Sequence, residues 1–426
     1  MLDDGHVLTD HAHRLPACDT DRRLTSLTAR AEAAGDPAAV LVAPQLQVGA
    51  EPVTLLSVFA PRRARVPGVW TRVTDLAEDP AVVEALLQVD AIAGGREEPP
   101  ARRPDWFRTA WYDEAEAWVD DVLARSGRRR TGPAQATKAW SMSAVLRVPC
   151  DPAPVWLKAS THHFHAEPAL TRLVADLAPD SAPIVVETDD ERGWLLTEDL
   201  AGADEDAAPE GVGVLTARTA ATLQLRSLER RADLEAAGAP VRDLTRTGAA
   251  LDEILTDGIE LGQLTDDERT AARAARDGAH AVLAELDAIG LPDTLVHGDL
   301  HTGNVAHHDG ALALYDWSDA CISHPFLDVV HLGSRLPDDE RAESQQAFAD
   351  TWRAAYPGID TDRALTLAVD ANQLFQMVTF EQIYRAQEDA SYWEMSGVVA
   401  DMLRELPARF GSAGGRRDPG VPGSPA

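Results

Sequence analysis

The sequence predicts an α+β chain: a small β-rich lobe, then a larger and mainly helical one, with a small α/β module in front of both. Three observations carry this prediction. Short apolar strand-like runs concentrate before residue 200, and amphipathic helical periodicity dominates after residue 201. A stretch rich in Gly, Pro and Arg, Gly94 to Pro104, separates the first hundred residues from the rest. One segment, Val296 to Trp317, gathers a high density of chemically useful side chains in a short loop between two strand-like runs.

In the module at residues 1–100, Ala39–Val42 and Val53–Phe59 read as strands. Asp79–Ile92 reads as a helix with Pro80 in its first turn and Ala93-Gly94-Gly95 ending it. No catalytic constellation is visible there. The β-rich lobe, residues 101–200, starts with an amphipathic helix over Trp106–Leu123 that puts Trp111, Ala115, Trp118 and Val122 on one face. A hairpin over Gln135–Val148 turns near Ser141-Met142-Ser143. Val155–Ala159 is a third strand, Glu167–Leu177 an amphipathic helix, and Ile184–Val186 and Gly193–Leu200 complete the lobe. In the helical part, residues 201–410, helices are expected over Leu215–Leu228, Asp266–Ala288, Gln345–Ala355, Arg363–Tyr384 and Tyr392–Leu406. Gly411–Ala426 is rich in Gly and Pro without periodicity and reads as disordered.

Within the dense segment, Asp299 is followed five residues later by Asn304, and Asp316 comes twelve further on. Phosphoryl transfer calls for these groups: a carboxylate beside the attacking hydroxyl, and an amide oxygen with a second carboxylate for the metal that bridges the phosphates. The same letters admit a metallohydrolase cluster of His297, Asp299, His301, His307, His308 and Asp316. That reading leaves Asn304 and the Asp316-Trp317 pair unexplained. His162, His163 and His165, which crowd one turn, read as capping or packing groups because no fourth ligand accompanies them.

Composition narrows the partners. Seventy acidic against 39 basic residues leave a net charge of −31, which disfavours nucleic acid and anionic membranes and suits a cationic acceptor. No apolar run reaches the length of a membrane span, and no secretory signal opens the chain. Three dispersed cysteines fit a reduced, cytoplasmic setting. Only two lysines occur, Lys138 and Lys158, all other cationic side chains of that class being arginine. The Ala, Arg and Asp richness suggests an actinobacterial source.

His297-Gly298-Asp299, Asn304 and Asp316-Trp317 resemble the catalytic loop and metal-binding segment of the aminoglycoside phosphotransferase and choline kinase-like family. The likeness runs from about residue 106 to 410, and is closest to small-molecule kinases that carry an appended N-terminal module. It implies a protein-kinase-like two-lobed fold and an ATP- or GTP-dependent phosphotransferase that acts, with Mg²⁺, on a hydroxyl of a small polar acceptor. It also implies roles: Asp299 as the base, Asn304 and Asp316 as metal ligands, and Lys158, held by Glu167, on the nucleotide phosphates. Glu198, Asp199 and Leu200 would form the hinge at the adenine edge, and Ser141 and Ser143 would cover the phosphates. Asp319, Gln376, Glu381 and Trp393 would face the acceptor, and Asp328 would anchor the catalytic loop. The chain departs from the kinase pattern in having no glycine between Thr137 and Ala144. A catalytically silent, kinase-like binding protein remains the alternative, and the resemblance names neither the acceptor nor the oligomeric state.

Overall fold

A computed structural model describes residues 69–200, 211–308 and 311–411, together with short strands between Leu2 and Phe59. The expectation for Gly411–Ala426 lies outside the described residues from 412 onward. The chain forms two compact units: one of Met1–Asp204 with Ala306–Ser318 and Ala386–Glu394, the other of Glu205–Val305, Asp319–Arg385 and Met395–Ala426.

The first unit contains two sheets of five strands. One joins Val40–Leu41, Val58–Phe59, Leu2–Asp3, His6–Thr9 and Val69–Arg72 in that spatial order. The run Val53–Phe59, expected as one strand, is split: Val53–Leu55 pairs instead with Leu46–Val48. Helix α1 (Pro80–Ala93) follows, and the Asp79 side chain accepts from the Ala81 amide at its N-terminus.

The second sheet consists of β1 (Gln135–Ala139), β2 (Ser143–Val148), β3 (Val155–Ser160), β4 (Val185–Asp189) and β5 (Trp194–Glu198). Their spatial order is β4-β5-β3-β2-β1, every pair antiparallel. Alternation along these strands puts Leu146, Leu157 and Leu196 on one face, where they pack with Trp111, Val119 and Leu123 of α2 (Thr109–Arg125). Trp111 and Trp118 meet Trp194 edge-on, with centroids 5.8 and 5.5 Å apart. Helix α3 (Glu167–Leu177) follows β3. Within the stretch Gly94–Pro104, Arg103 pairs with Glu388 at 3.0 Å and Arg102 with Asp389 at 3.1 Å, both partners in the same unit.

The second unit is mainly helical: α4 (Val212–Ser227), α5 (Arg231–Ala236), α6 (Leu244–Asp257), α7 (Asp266–Ala274), α8 (Arg276–Asp287), α9 (Phe326–Gly333), α10 (Asp338–Ala355), α11 (Thr361–Ala386) and α12 (Val398–Phe410). A two-stranded ladder, Thr294–Val296 with Cys321–Ser323, brackets the dense segment. Trp352, Phe326, Phe348 and Phe375 are fully buried in this unit. Two expected helices are interrupted. Asp266–Ala288 is divided at Ala275 into α7 and α8, although Ala275 keeps its backbone bonds to Ala271 and Ala279. Tyr392–Leu406 is a 3₁₀ turn, Asp389–Glu394, followed by α12, because Gly397 between them takes a φ of +97° that no right-handed helix accommodates. Among the described residues, no helix is long and apolar enough to cross a membrane.

Leu157 is wholly buried at the centre of the second sheet. Leu157→Ala is expected to lower unfolding free energy by about 2–5 kcal/mol in a denaturant titration; a cost under about 1 kcal/mol would show that this face is not the core.

Candidate active site

In the first unit the chemistry centres on Lys158. It lies on β3, whose neighbours Leu157 and Ala159 point into the core, so alternation sends its side chain to the opposite face. There its Nζ lies 2.7 Å from Glu167 Oε1 and 2.6 Å from Asp316 Oδ1. Glu167, at the start of α3, is 1% exposed and also accepts from Ser160 Oγ at 2.7 Å. Asp316 accepts from Ser318 Oγ at 2.7 Å. It has a φ of +63°, one of only two described non-glycine residues in the left-handed region. That conformation costs energy for any L-residue other than glycine, though aspartate tolerates it better than most. Burial works against the charges of Lys158 and Asp316, but each is outweighed by the other. The Asp316 carboxyl is held well below the usual carboxylate range and the Lys158 ammonium well above its own.

A cleft of about 260 Å³ opens beside this pair. Val145, Trp156, Pro183, Leu195 and Leu200 give it an apolar wall, and Lys158, Lys138, Glu167 and Asp316 a charged end. Such a gradient suits a ligand with a flat apolar part and an anionic tail. The residues expected as a hinge lie around it with several groups engaged. The Glu198 amide donates to the Ile184 carbonyl at 2.9 Å, its carboxylate meets Arg128 at 2.6 Å, and Asp199 accepts from Trp156 Nε1 at 2.5 Å. Leu200 lines the cleft. Ser143 lines it as well and accepts from Trp140 Nε1 at 2.8 Å. Ser141 is buried; it donates to Glu394 at 2.6 Å and accepts from Gln387 at 2.7 Å. Burial pushes the Glu394 carboxyl up to about 7, against the Ser141 hydrogen bonds.

In the second unit the loop after Val296 is shaped by Gly298 and Asp328. Gly298 has a φ of +84°, and a Cβ there would stand 2.4 Å from the Asp319 carbonyl oxygen, so only glycine fits. Asp328 is 2% exposed and accepts from the His297 and Gly298 amides at 2.9 and 3.0 Å, and from Gln224 Nε2 at 2.9 Å. Gln376 Nε2 donates to the Gly298 carbonyl at 2.9 Å. Asp299 follows at once. His331 Nε2 lies 2.9 Å from its Oδ1, and Asn304 Nδ2 donates to its backbone carbonyl at 2.9 Å and its Oδ2 at 3.3 Å. His301 Nδ1 accepts from the Gly303 amide at 3.0 Å, which puts the ring proton on Nε2, 3.5 Å from Asp299 Oδ2. Burial opposes the Asp299 charge, but the two histidines outweigh it and hold the carboxyl well below its usual range.

Sequence reasoning missed His331. The available signal was its i+3 spacing from Asp328 on α9, which puts both residues on the helix face that meets the loop. Of the residues expected at the acceptor, Glu381 is 3% exposed and accepts from the Ile259 amide at 3.0 Å and from Arg385 at 2.9 Å, so it joins helices within its own unit. Trp393 is half-buried in the 3₁₀ turn Asp389–Glu394. Asp319 contributes the backbone carbonyl that packs on Gly298. Among the described residues, no group of three or more His, Cys, Asp or Glu side chains is placed to hold a metal ion.

Magnesium requires hard oxygen donors. Asp316 offers an ionised carboxylate whose Oδ1 bonds Lys158 and Ser318, leaving Oδ2 as a donor. Asn304 directs its amide nitrogen to Asp299, leaving its amide oxygen as a donor. Each residue is chemically suited to the role.

A model of the phosphotransferase enzyme family matches residues 134–364, more than half of the chain. No curated protein matches. Solved structures resemble it at low identity. A GDP-bound variant of aminoglycoside 2′-phosphotransferase type IIIa is 15% identical, with 69% of this chain and 99% of that one covered and a TM-score of 0.48. A macrolide 2′-phosphotransferase from Brachybacterium faecium is 17% identical, covering 70% and 99%, with a TM-score of 0.45. A choline/ethanolamine kinase family protein from Mesorhizobium loti is 15% identical, covering 70% and 99%, with a TM-score of 0.42.

Gly298→Ala is expected to destabilise the fold by on the order of 3 kcal/mol in chemical denaturation, and an unchanged midpoint would contradict the packing described. Because the Glu394 carboxyl is raised from 4.5 to about 7, its contribution favours folding at low pH and is lost as pH rises through 7. Glu394→Gln should therefore gain stability relative to the native chain between pH 5 and 8, as read by melting temperature; a constant difference across that range would refute the assignment.

Proposed function

Because the chain belongs to the phosphotransferase enzyme family, we propose that it moves the terminal phosphoryl group of ATP or GTP to a hydroxyl of a small polar acceptor: a sugar, amino sugar, aminoglycoside or amino alcohol. The observation that carries this reading is the Lys158 ammonium, fixed between Glu167 and Asp316 at the charged end of a cleft with an apolar wall. The apolar wall suits a purine and the charged end its phosphates.

In this reading Lys158 draws charge from the phosphate oxygens, and Glu167 holds its ammonium in place. Asn304 and Asp316 are the residues that would hold Mg²⁺, which when bound neutralises phosphate charge. Asp299 aligns the acceptor hydroxyl and accepts its proton as the acceptor oxygen bonds to the terminal phosphorus and the bond from that phosphorus to the nucleoside diphosphate breaks. A carboxyl held so far below its usual range is a weak base, so alignment is its larger contribution and proton transfer comes late. His331 and Asn304 fix the carboxylate against rotation, which supplies that alignment. The strongly acidic surface, with a net charge of −31, favours acceptors that carry ammonium groups.

Magnesium-dependent release of nucleoside diphosphate across a panel of amino sugars, aminoglycosides, amino alcohols and maltose tests this function. Turnover with at least one acceptor class is expected, and nucleotide binding without turnover on any would favour a silent binding protein. With the acceptor found, Asp299→Asn should lower kcat by about 10²–10⁴-fold and leave nucleotide affinity near that of the native chain. Lys158→Ala should raise the KM for nucleotide and lower kcat. Full activity in either variant would refute the role given to that residue.

A further inference from the structure

We propose that Lys138 is a second phosphate-binding cation of the cleft, doing from strand β1 what the amides of a glycine-rich turn do in protein kinases. The proposal rests on the reading of the cleft as the nucleotide site.

The chain has 39 basic residues of the Lys and Arg type, of which two are lysine, and both lysines line this one cleft. The strand register explains how. Lys138 stands opposite Val145 and Val145 opposite Lys158, so the three form one row across β1, β2 and β3, which Leu195 continues on β5. All four line the cleft. The flanking rows, Ala136-Leu146-Leu157-Leu196 and Ala139-Ala144-Ala159-Trp194, are buried in the core on the other face.

Strict alternation along β1 could not put Ala136 in the core and Lys138 in the cleft while Ala139 also faces the core. The pairing register shifts between Ala136 and Lys138, so Thr137 is the extra residue of a bulge, and its hydroxyl donates to the Val145 carbonyl at 3.1 Å. The bulge re-aims Lys138 into the cleft. At about 4.8 Å per strand, the two lysine backbones stand roughly 10 Å apart. Flexible four-carbon arms can close that distance onto successive phosphates of one chain, and a compact ammonium suits this better than a planar guanidinium. Lys138 Nζ lies 4.0 Å from the centroid of the Trp140 ring, which steadies it beside the site. The turn between β1 and β2 lacks glycine, and the Ser141 hydroxyl is taken up by Glu394 and Gln387, so the strand supplies the cation that the turn does not.

Having only two lysines makes the test direct. The full-length native protein is acylated with a lysine-selective reagent in the presence of Mg²⁺ and either ATP, AMP or no nucleotide, and modification of Lys138 and Lys158 is followed by peptide mass spectrometry. ATP is expected to slow acylation of Lys138 and AMP to leave it reacting as in the free protein, while Lys158, paired with two carboxylates, reacts slowly throughout. In parallel, Lys138→Ala should weaken ATP binding roughly tenfold or more with AMP affinity within about twofold, and Lys138→Arg should recover part of the loss. Unslowed acylation of Lys138 with ATP bound, or native ATP affinity in Lys138→Ala, overturns the role of Lys138 and leaves the nucleotide site standing. Unslowed acylation of Lys138, with no ATP binding, overturns both.

Discussion

An ammonium group buried between two carboxylates is stable only while all three stay paired, and the first unit is organised around that constraint. Lys158 is 2.7 Å from Glu167 and 2.6 Å from Asp316, and the two carboxylates take further hydrogen bonds from Ser160 and Ser318. Of the three, Glu167 is the buried one, so removing Lys158 would leave its carboxylate buried without its cation, which is destabilising. The sheet, helix α3 and the segment ending in Ser318 are therefore coupled through one side chain. The left-handed backbone at Asp316 is tolerated because this pairing holds the residue there. A polyanion entering the cleft would compete with the same carboxylates for the same ammonium, so the site is held poised and cannot relax into an apolar core.

The loop after Val296 in the second unit is held by different means with the same economy. Asp328 satisfies two consecutive backbone amides, Gly298 allows the Asp319 carbonyl to pack closely, and Gln376 holds the Gly298 carbonyl. Asp299 is then fixed by His331 and by Asn304. Of the histidines that invite a metal reading in the sequence, His301 accepts from the Gly303 amide and faces the Asp299 carboxylate.

The second sheet was legible because β2 and β3 alternate and its turns are short; Lys158 and Glu167 could be paired because their order and spacing match the family that the loop after Val296 resembles. The anchoring role of Asp328 was legible from its place after the Asp316-Trp317 pair. The helix breaks were not, since Ala275 is a strong helix former and Gly397 acts through a dihedral that composition does not reveal. Ser141 could not be placed, because its partners Glu394 and Gln387 lie some 250 residues away in sequence. The orientation of Lys138 depends on a one-residue bulge, which flips a side chain without altering the apolar pattern. His331 was hidden for a similar reason: its contact with Asp299 is made by tertiary packing of α9, and only its helical spacing from Asp328 hinted at it.

The central claim is that the Lys158–Asp316 pair is the resting state of a nucleotide-phosphate site. A crystal structure of the full chain with Mg²⁺ and a non-hydrolysable ATP analogue addresses it directly. The account predicts phosphate oxygens on Lys158, with Glu167 still bonded to it, and the metal ion on Asp316 and Asn304. Lys158 still closed on Asp316, with the nucleotide bound elsewhere, would contradict it.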